Sequence, residues 1–140
     1  MTTELTVLAL GALLLLAHIM LAVHFKTQQY GKTWNMGARD EDLPPLNAIA
    51  GRLERARDNF AETFPIAIVA LLGIAVAGKA SAISEIAAIT WLVARVVYLP
   101  LYWSGVPKVR TLVWGVSLLA LVTLLGVLLL GPVQAAGAML

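Results

Sequence analysis

The stretch LVWGVSLLALVTLLGVLLLG, residues 112–131, holds 20 residues and no charge. As a helix rising about 1.5 Å per residue it covers a hydrocarbon core of roughly 30 Å, so it reads as a membrane span. Three further runs share that character: Leu5 to Phe25, interrupted only by His18 and His24; Phe60 to Gly78, with Glu62 and Pro65 near its start; and Ile83 to Trp103, with Arg95 inside it. Spans are thus expected at about 5–25, 60–78, 83–103 and 112–131. With their connections they use nearly all of the 140 residues, which predicts one all-α transmembrane domain over 1–140, built as a four-helix bundle. Composition agrees, with 60% hydrophobic residues, 13% charged and a mean hydropathy of +0.86. A soluble domain is about half apolar and a quarter charged. The first run has Glu4 and no Lys or Arg before it, and it is too long for a signal peptide, so it is expected to be a retained span.

The charged residues orient the bundle. Lys26, Lys32, Arg39, Arg52, Arg55 and Arg57 fall between spans one and two, and Lys108 and Arg110 between three and four; the turn between two and three has only Lys79, and the tail has none. Cytoplasmic loops carry the excess of Lys and Arg, so both basic connections are expected in the cytoplasm and both termini on the non-cytoplasmic side. The first connection, residues 26–45, mixes Gly31, Gly37, the acidic run Asp40-Glu41-Asp42 and Pro44-Pro45. It reads as an ordered or semi-ordered loop without a period, and its position makes it a candidate lid. Asp42 or a neighbour is expected to cap a helix whose first turn holds Pro44 and Pro45, giving helix two a charged extension before the membrane.

Several chemistries are excluded. Cysteine is absent, which removes disulfides, thiolate metal sites and a cysteine nucleophile, so thiol chemistry would require a thiol carried by the substrate. With only two histidines no metal site is expected, and no basic stripe with interleaved aromatics points to nucleic acid despite the net charge of +2.

The informative residues are the polar ones inside or beside the spans. An arginine at the centre of a span costs about 2.5–3.5 kcal/mol on insertion scales, so Arg95 is expected to face a partner or a wet cavity. The alternative is a side chain that snorkels to the interface among tyrosine anchors. Trp91, Tyr98 and Tyr102 share its helical face. On helix two, Arg52, Arg55, Asn59 and Glu62 lie within an arc of about 80°, a polar stripe running into the bilayer. Arg55 with Asn59, and Asn59 with Glu62, are spaced for hydrogen bonds within the helix. A solvated helix end, pairing Arg55 with Asp58 and Glu54 with Arg57, is the competing reading. Arg110 and Thr111 follow the turn Ser104 to Pro107 at the same end as the stripe. His18 is expected to pack or hydrogen-bond between helices, with His24 at an interface.

Four arginines (Arg52, Arg55, Arg95, Arg110) and one glutamate suit a small ligand with more than one carboxylate and an amine: guanidinium forks bind carboxylates bidentately, and the glutamate takes the ammonium. Glutathione has that pattern and adds a thiol, which a nearby arginine or tyrosine hydroxyl would hold as the reactive thiolate. A second, lipophilic substrate would enter from the lipid side through apolar walls.

Arg55-Ala56-Arg57-Asp58-Asn59-Phe60-Ala61-Glu62 resembles the R-A-x-x-N-x-x-E signature of the MAPEG family, the membrane-associated proteins in eicosanoid and glutathione metabolism. Arg95-Val96-Val97-Tyr98, Tyr102 and Arg110-Thr111 are similar to that family's third-helix and fourth-helix pattern, and span number, length and orientation extend the resemblance over essentially the whole chain. The resemblance implies a left-handed four-helix bundle, a homotrimer, and glutathione bound between neighbouring protomers near the cytoplasmic face. It assigns Arg55, Asn59, Glu62, Tyr102 and Arg110 to glutathione binding, with Arg110 as thiolate stabiliser aided by Tyr102 or Thr111. Arg95 matches a position that supports the polar core of the site, and it is counted with the glutathione-binding residues together with Tyr98 and with Arg52, which lies on the right face. Tyr98 stands where some relatives have histidine and Asp58 where some eicosanoid-forming members have a second arginine. These departures point away from eicosanoid activities and toward a divergent bacterial member of the inner membrane.

The leading expectation is therefore a glutathione-dependent transferase or peroxidase acting on a lipophilic electrophile or lipid hydroperoxide. The alternative is a non-catalytic integral membrane protein, a partner or a glutathione-binding module, that keeps the bundle without the chemistry. A transporter fits less well, since four short spans show no inverted repeat and the charges cluster at one face.

Overall fold

A computed structural model describes residues 1–134, and among them it forms five helices and no strand: α1 (Thr3–Tyr30), α2 (Lys32–Met36), α3 (Ala48–Val76), α4 (Ala82–Trp103) and α5 (Pro107–Leu130). The end of the tail, and with it the C-terminus whose side the charge bias predicts, lies outside the described residues. α1, α3, α4 and α5 are each long and apolar enough to cross a membrane. α1 packs chiefly on α3, and α4 on α5.

Small residues let these helices approach. Ala67, Ala70, Ala87 and Ala88 are buried on the facing surfaces of α3 and α4, around the larger Phe60, Phe64, Leu71, Trp91, Leu121 and Leu124. At Gly11 on α1 a Cβ would come within 2.8 Å of the Trp91 ring, so the absent side chain sets how closely α1 meets α4. Leu13, Val69, Ile86, Leu119 and Leu129 point outward. An apolar exterior of this extent suits lipid rather than water.

Two local expectations are corrected. α3 begins at Ala48, capped by Asn47, whose Oδ1 accepts from the Ala50 amide at 2.9 Å. Asp42 is not the cap, and Pro44 and Pro45 lie outside the helix. A proline disfavours the helical conformation in the residue before it, so Pro45 keeps Pro44 extended. The extended segment is then tied to the end of α1: the Tyr30 hydroxyl donates to the Pro44 carbonyl, and the Gln29 side-chain amide donates to that of Pro45 at 3.0 Å. The connection also contains the short α2, set off from α1 by Gly31 at φ +94°, which is too short to leave a period in the sequence. The ring of Trp34 in α2 lies beneath Arg39 at 4.9 Å and Lys26 at 5.7 Å; Lys26, which the structure places in the last turns of α1 and not in the loop, donates to Glu54 at 2.7 Å and joins α1 to α3.

At the opposite end, Ser81 and Ser84 form a capping box at the start of α4. There the Ser84 hydroxyl also meets the carboxylate of Glu4, which is fully buried in the first turn of α1. That carboxylate faces the amide-rich N-termini of two helices, the end of a helix dipole that favours negative charge.

Candidate functional site

Phe60 and Asn59 reach α4 from the middle of α3, and Arg95 meets them there. Its guanidinium is 1% exposed, with both terminal nitrogens donating to Asn59 Oδ1 at 3.1 and 3.2 Å. It also lies over the rings of Phe60 at 4.6 Å and Tyr98 at 4.7 Å. Arg95 therefore turns inward to a partner and does not snorkel. The hydrogen bonds expected within α3, from Arg55 to Asn59 and from Asn59 to Glu62, are not formed: the Asn59 oxygen goes to the buried guanidinium, which has the greater need of an acceptor. Its amide nitrogen remains as a donor.

A second layer sits above this pair, toward the basic end. Tyr98 and Tyr102 meet edge to face at 5.5 Å. Over the Tyr102 ring lie two guanidinium groups from different helices, Arg110 of α5 at 4.4 Å and Arg55 of α3 at 6.0 Å. Neither arginine has an ion-pair partner among the described residues. Arg110 and Thr111 line a depression of about 490 Å³ with Pro107, Lys108 and Leu112. The Thr111 hydroxyl donates back to the Pro107 carbonyl at 3.1 Å.

Two members of the stripe stand apart. Arg52 donates through Nη1 to the carbonyl of Trp103 at 3.1 Å, at the end of α4. Glu62 is exposed on α3, roughly a turn deeper than Asn59, without an ion pair or side-chain hydrogen bond among the described residues. The charges off the stripe pair with each other: Arg57 donates to Asp58 at 2.7 Å and approaches Glu54 at 3.6 Å. The helix-end pairing thus holds for Glu54 with Arg57, while Asp58 takes Arg57 in place of Arg55.

The structure brings together Asn59, Arg95, Tyr98, Tyr102, Arg55 and Arg110 in one run of contacts across α3, α4 and α5. No group of His, Asp or Glu suited to a metal occurs among the described residues. Sequence reasoning missed Phe60, while His18 packs between helices as expected. His18 is 1% exposed; its ring lies tilted against that of Phe60 at 4.9 Å and is anchored by Nδ1 to its own helix at the Leu14 carbonyl, 2.8 Å away. A histidine within a span was the available signal; for Phe60 there was none beyond its place beside Asn59.

A family model, that of the MAPEG family, matches residues 4–130. The match takes in all four long helices and every residue of this cluster. This chain belongs to the MAPEG family. No curated protein and no solved structure was found to match it. Membership makes this a multi-pass integral membrane protein of a glutathione-related family that includes transferases and peroxidases. In this MAPEG protein the signature positions on α3 thus divide in two: Asn59 holds the interior together with Arg95, while Arg55 and Glu62 look outward.

Proposed function

We propose that this MAPEG protein is a glutathione-dependent membrane enzyme, a transferase or peroxidase whose second substrate is a lipophilic electrophile or a lipid hydroperoxide. The observation that carries the reading is the convergence of Arg55 and Arg110 on the ring of Tyr102 without a carboxylate partner for either among the described residues. Two like charges drawn to one ring call for an anion, and a peptide carboxylate or thiolate supplies it.

In this reading Arg55 and the Asn59 amide hold glutathione carboxylates, Glu62 takes its ammonium, and Arg110 faces the sulfur. Tyr102 orients Arg110 and offers a hydroxyl; Thr111 stands beside it. Arg95 and Tyr98 act from beneath by fixing Asn59 and Tyr102. The positive charge of Arg110 favours thiolate over thiol, so the thiol proton leaves to solvent on binding. The sulfur then attacks an electrophilic carbon and its leaving group departs with the bonding pair. The chain contributes orientation and electrostatic stabilisation, having no sulfur nucleophile of its own.

The exposure of Arg55 and Glu62 supports a site completed by a second copy of the chain, as in a homotrimer with glutathione between protomers. Glu62 sits where α3 is otherwise apolar, and a carboxylate facing lipid is costly unless a neighbour covers it. The basic end is read as cytoplasmic, in a bacterial inner membrane. Purified protein in detergent or liposomes, given glutathione and a panel of lipophilic electrophiles and hydroperoxides, tests this: saturable turnover lost in the Arg110→Ala variant is expected. Glutathione binding with no turnover across the panel would instead leave a binding module.

A further inference from the structure

The last turn of α4 carries Tyr102 and leads through only three residues into α5, which carries Arg110. The final carbonyls of a helix lack partners within it. Here the Pro100 carbonyl accepts from Ser104 N at 3.0 Å, that of Leu101 from Val106 N at 3.1 Å and that of Tyr102 from Gly105 N at 3.1 Å. The last two bonds make a Schellman cap with Gly105 at its left-handed position, φ +77°. The carbonyl that remains is that of Trp103, and Arg52 of α3 closes it. A cation there also meets the negative end of the helix dipole.

Two observations locate the guanidinium of Arg52 in a fitted position. It donates to Trp103, and it fills the space that a side chain at residue 105 would need: a Cβ there would lie 2.9 Å from Arg52 Cζ. Glycine at 105 thus serves the turn and makes room for Arg52. The Trp103 ring is held separately, edge to face with Phe25 of α1 at 5.4 Å. The end of α4 is fastened to α1 by its side chain and to α3 by its carbonyl.

We infer that Arg52 is a positioning residue, in place of the glutathione ligand its helical face suggests: by holding the Trp103 carbonyl it fixes the α4–α5 turn so that Arg110 stays over Tyr102. The inference rests on the glutathione-dependent reading above. It differs from ordinary helix capping in that loss of Arg52 is felt at Arg110, some distance along the chain, as a change in thiol ionisation.

The test compares wild type with Arg52→Ala, Arg52→Lys and Gly105→Ala in three measurements: glutathione affinity, the pH profile of kcat, and hydrogen exchange of the backbone amides of residues 101–106 without ligand. In Arg52→Ala, affinity is expected to stay within about threefold, while kcat at neutral pH falls between about tenfold and a hundredfold, the scale for a misplaced catalytic group. The rise of kcat with pH moves to more alkaline pH, and exchange in the turn accelerates. Lysine, which still donates to a carbonyl, restores most of the activity; Gly105→Ala, which displaces the guanidinium and also strains the left-handed turn itself, loses at least as much as Arg52→Ala. A loss of affinity of tenfold or more with the pH profile unmoved would make Arg52 a ligand and overturn the inference. Unchanged exchange in the turn would also overturn it, whatever the kinetics. Wild type that neither binds glutathione nor turns over would sink the functional reading instead, and the exchange data would still decide whether Arg52 holds the turn.

Discussion

Arg95 on α4 and Asn59 on α3 form the polar joint of this bundle, two nitrogens of a buried guanidinium sharing one oxygen of a half-buried amide at 3.1 and 3.2 Å. An arginine at this depth is tolerated because it has an acceptor and two aromatic faces, Phe60 and Tyr98. The joint fixes the register of the helix with the anion-seeking Arg55 against the helix with Tyr102.

The two partners of that joint are not equivalent. Asn59→Ala leaves a buried guanidinium without its acceptor, which costs about 3–5 kcal/mol for a charge that loses its partner. Arg95→Met removes the charge itself, fills the space with apolar atoms, and is expected to cost less. Thermal unfolding of both variants in detergent checks the order; equal losses would mean that Arg95 reaches water or another acceptor.

Glu62→Gln keeps shape and removes charge. In the proposed site it weakens glutathione binding by about 1.5–3 kcal/mol, the worth of a charged hydrogen bond, which is about tenfold to a hundredfold in Kd. A glutathione analogue acylated at its amine is expected to bind wild type and variant alike. Full affinity of the variant for glutathione itself would remove Glu62 from the site.

At the other end of the molecule, Ser84→Ala strips the buried Glu4 carboxylate of the hydroxyl it meets. A loss of about 1–3 kcal/mol is expected, as for a buried acceptor left unsatisfied. Glu4→Gln, which retains an acceptor, is expected to be milder. Denaturation measured by near-ultraviolet circular dichroism separates the two, and a neutral Ser84→Ala would show that the contact contributes nothing to stability.

The bundle was legible because each spanning helix needs about 20 mostly apolar residues in a row, and the family signature because Arg55, Asn59 and Glu62 recur along one helical face. What the sequence left open depended on which of several competent partners wins. Asn59 stood within reach of Arg55 and Glu62 on its own helix, yet the interior guanidinium of Arg95 has no water to turn to and takes it. Arg52 shares the face of Arg55, but the open carbonyl at the end of α4 draws it aside. Asn47 caps α3 although Asp42 is as good a capping residue, because the proline pair between them cannot wind into the helix. Each outcome is set by contacts between elements, which neither period nor spacing encodes.

In the proposed site Arg110, over Tyr102, holds the glutathione sulfur as thiolate. Calorimetric titration of glutathione and of its S-methyl analogue into the wild-type protein, at neutral and at alkaline pH, reads it most directly. A free thiol ionises near 8.5, so at neutral pH glutathione arrives protonated, and a site that holds the thiolate releases its proton on binding. The expected result is proton release with glutathione at neutral pH that fades at alkaline pH, and none with the analogue at either. Glutathione binding with no more proton release than the analogue would contradict a thiolate-forming site, and Arg110 would then have no part in activating the sulfur.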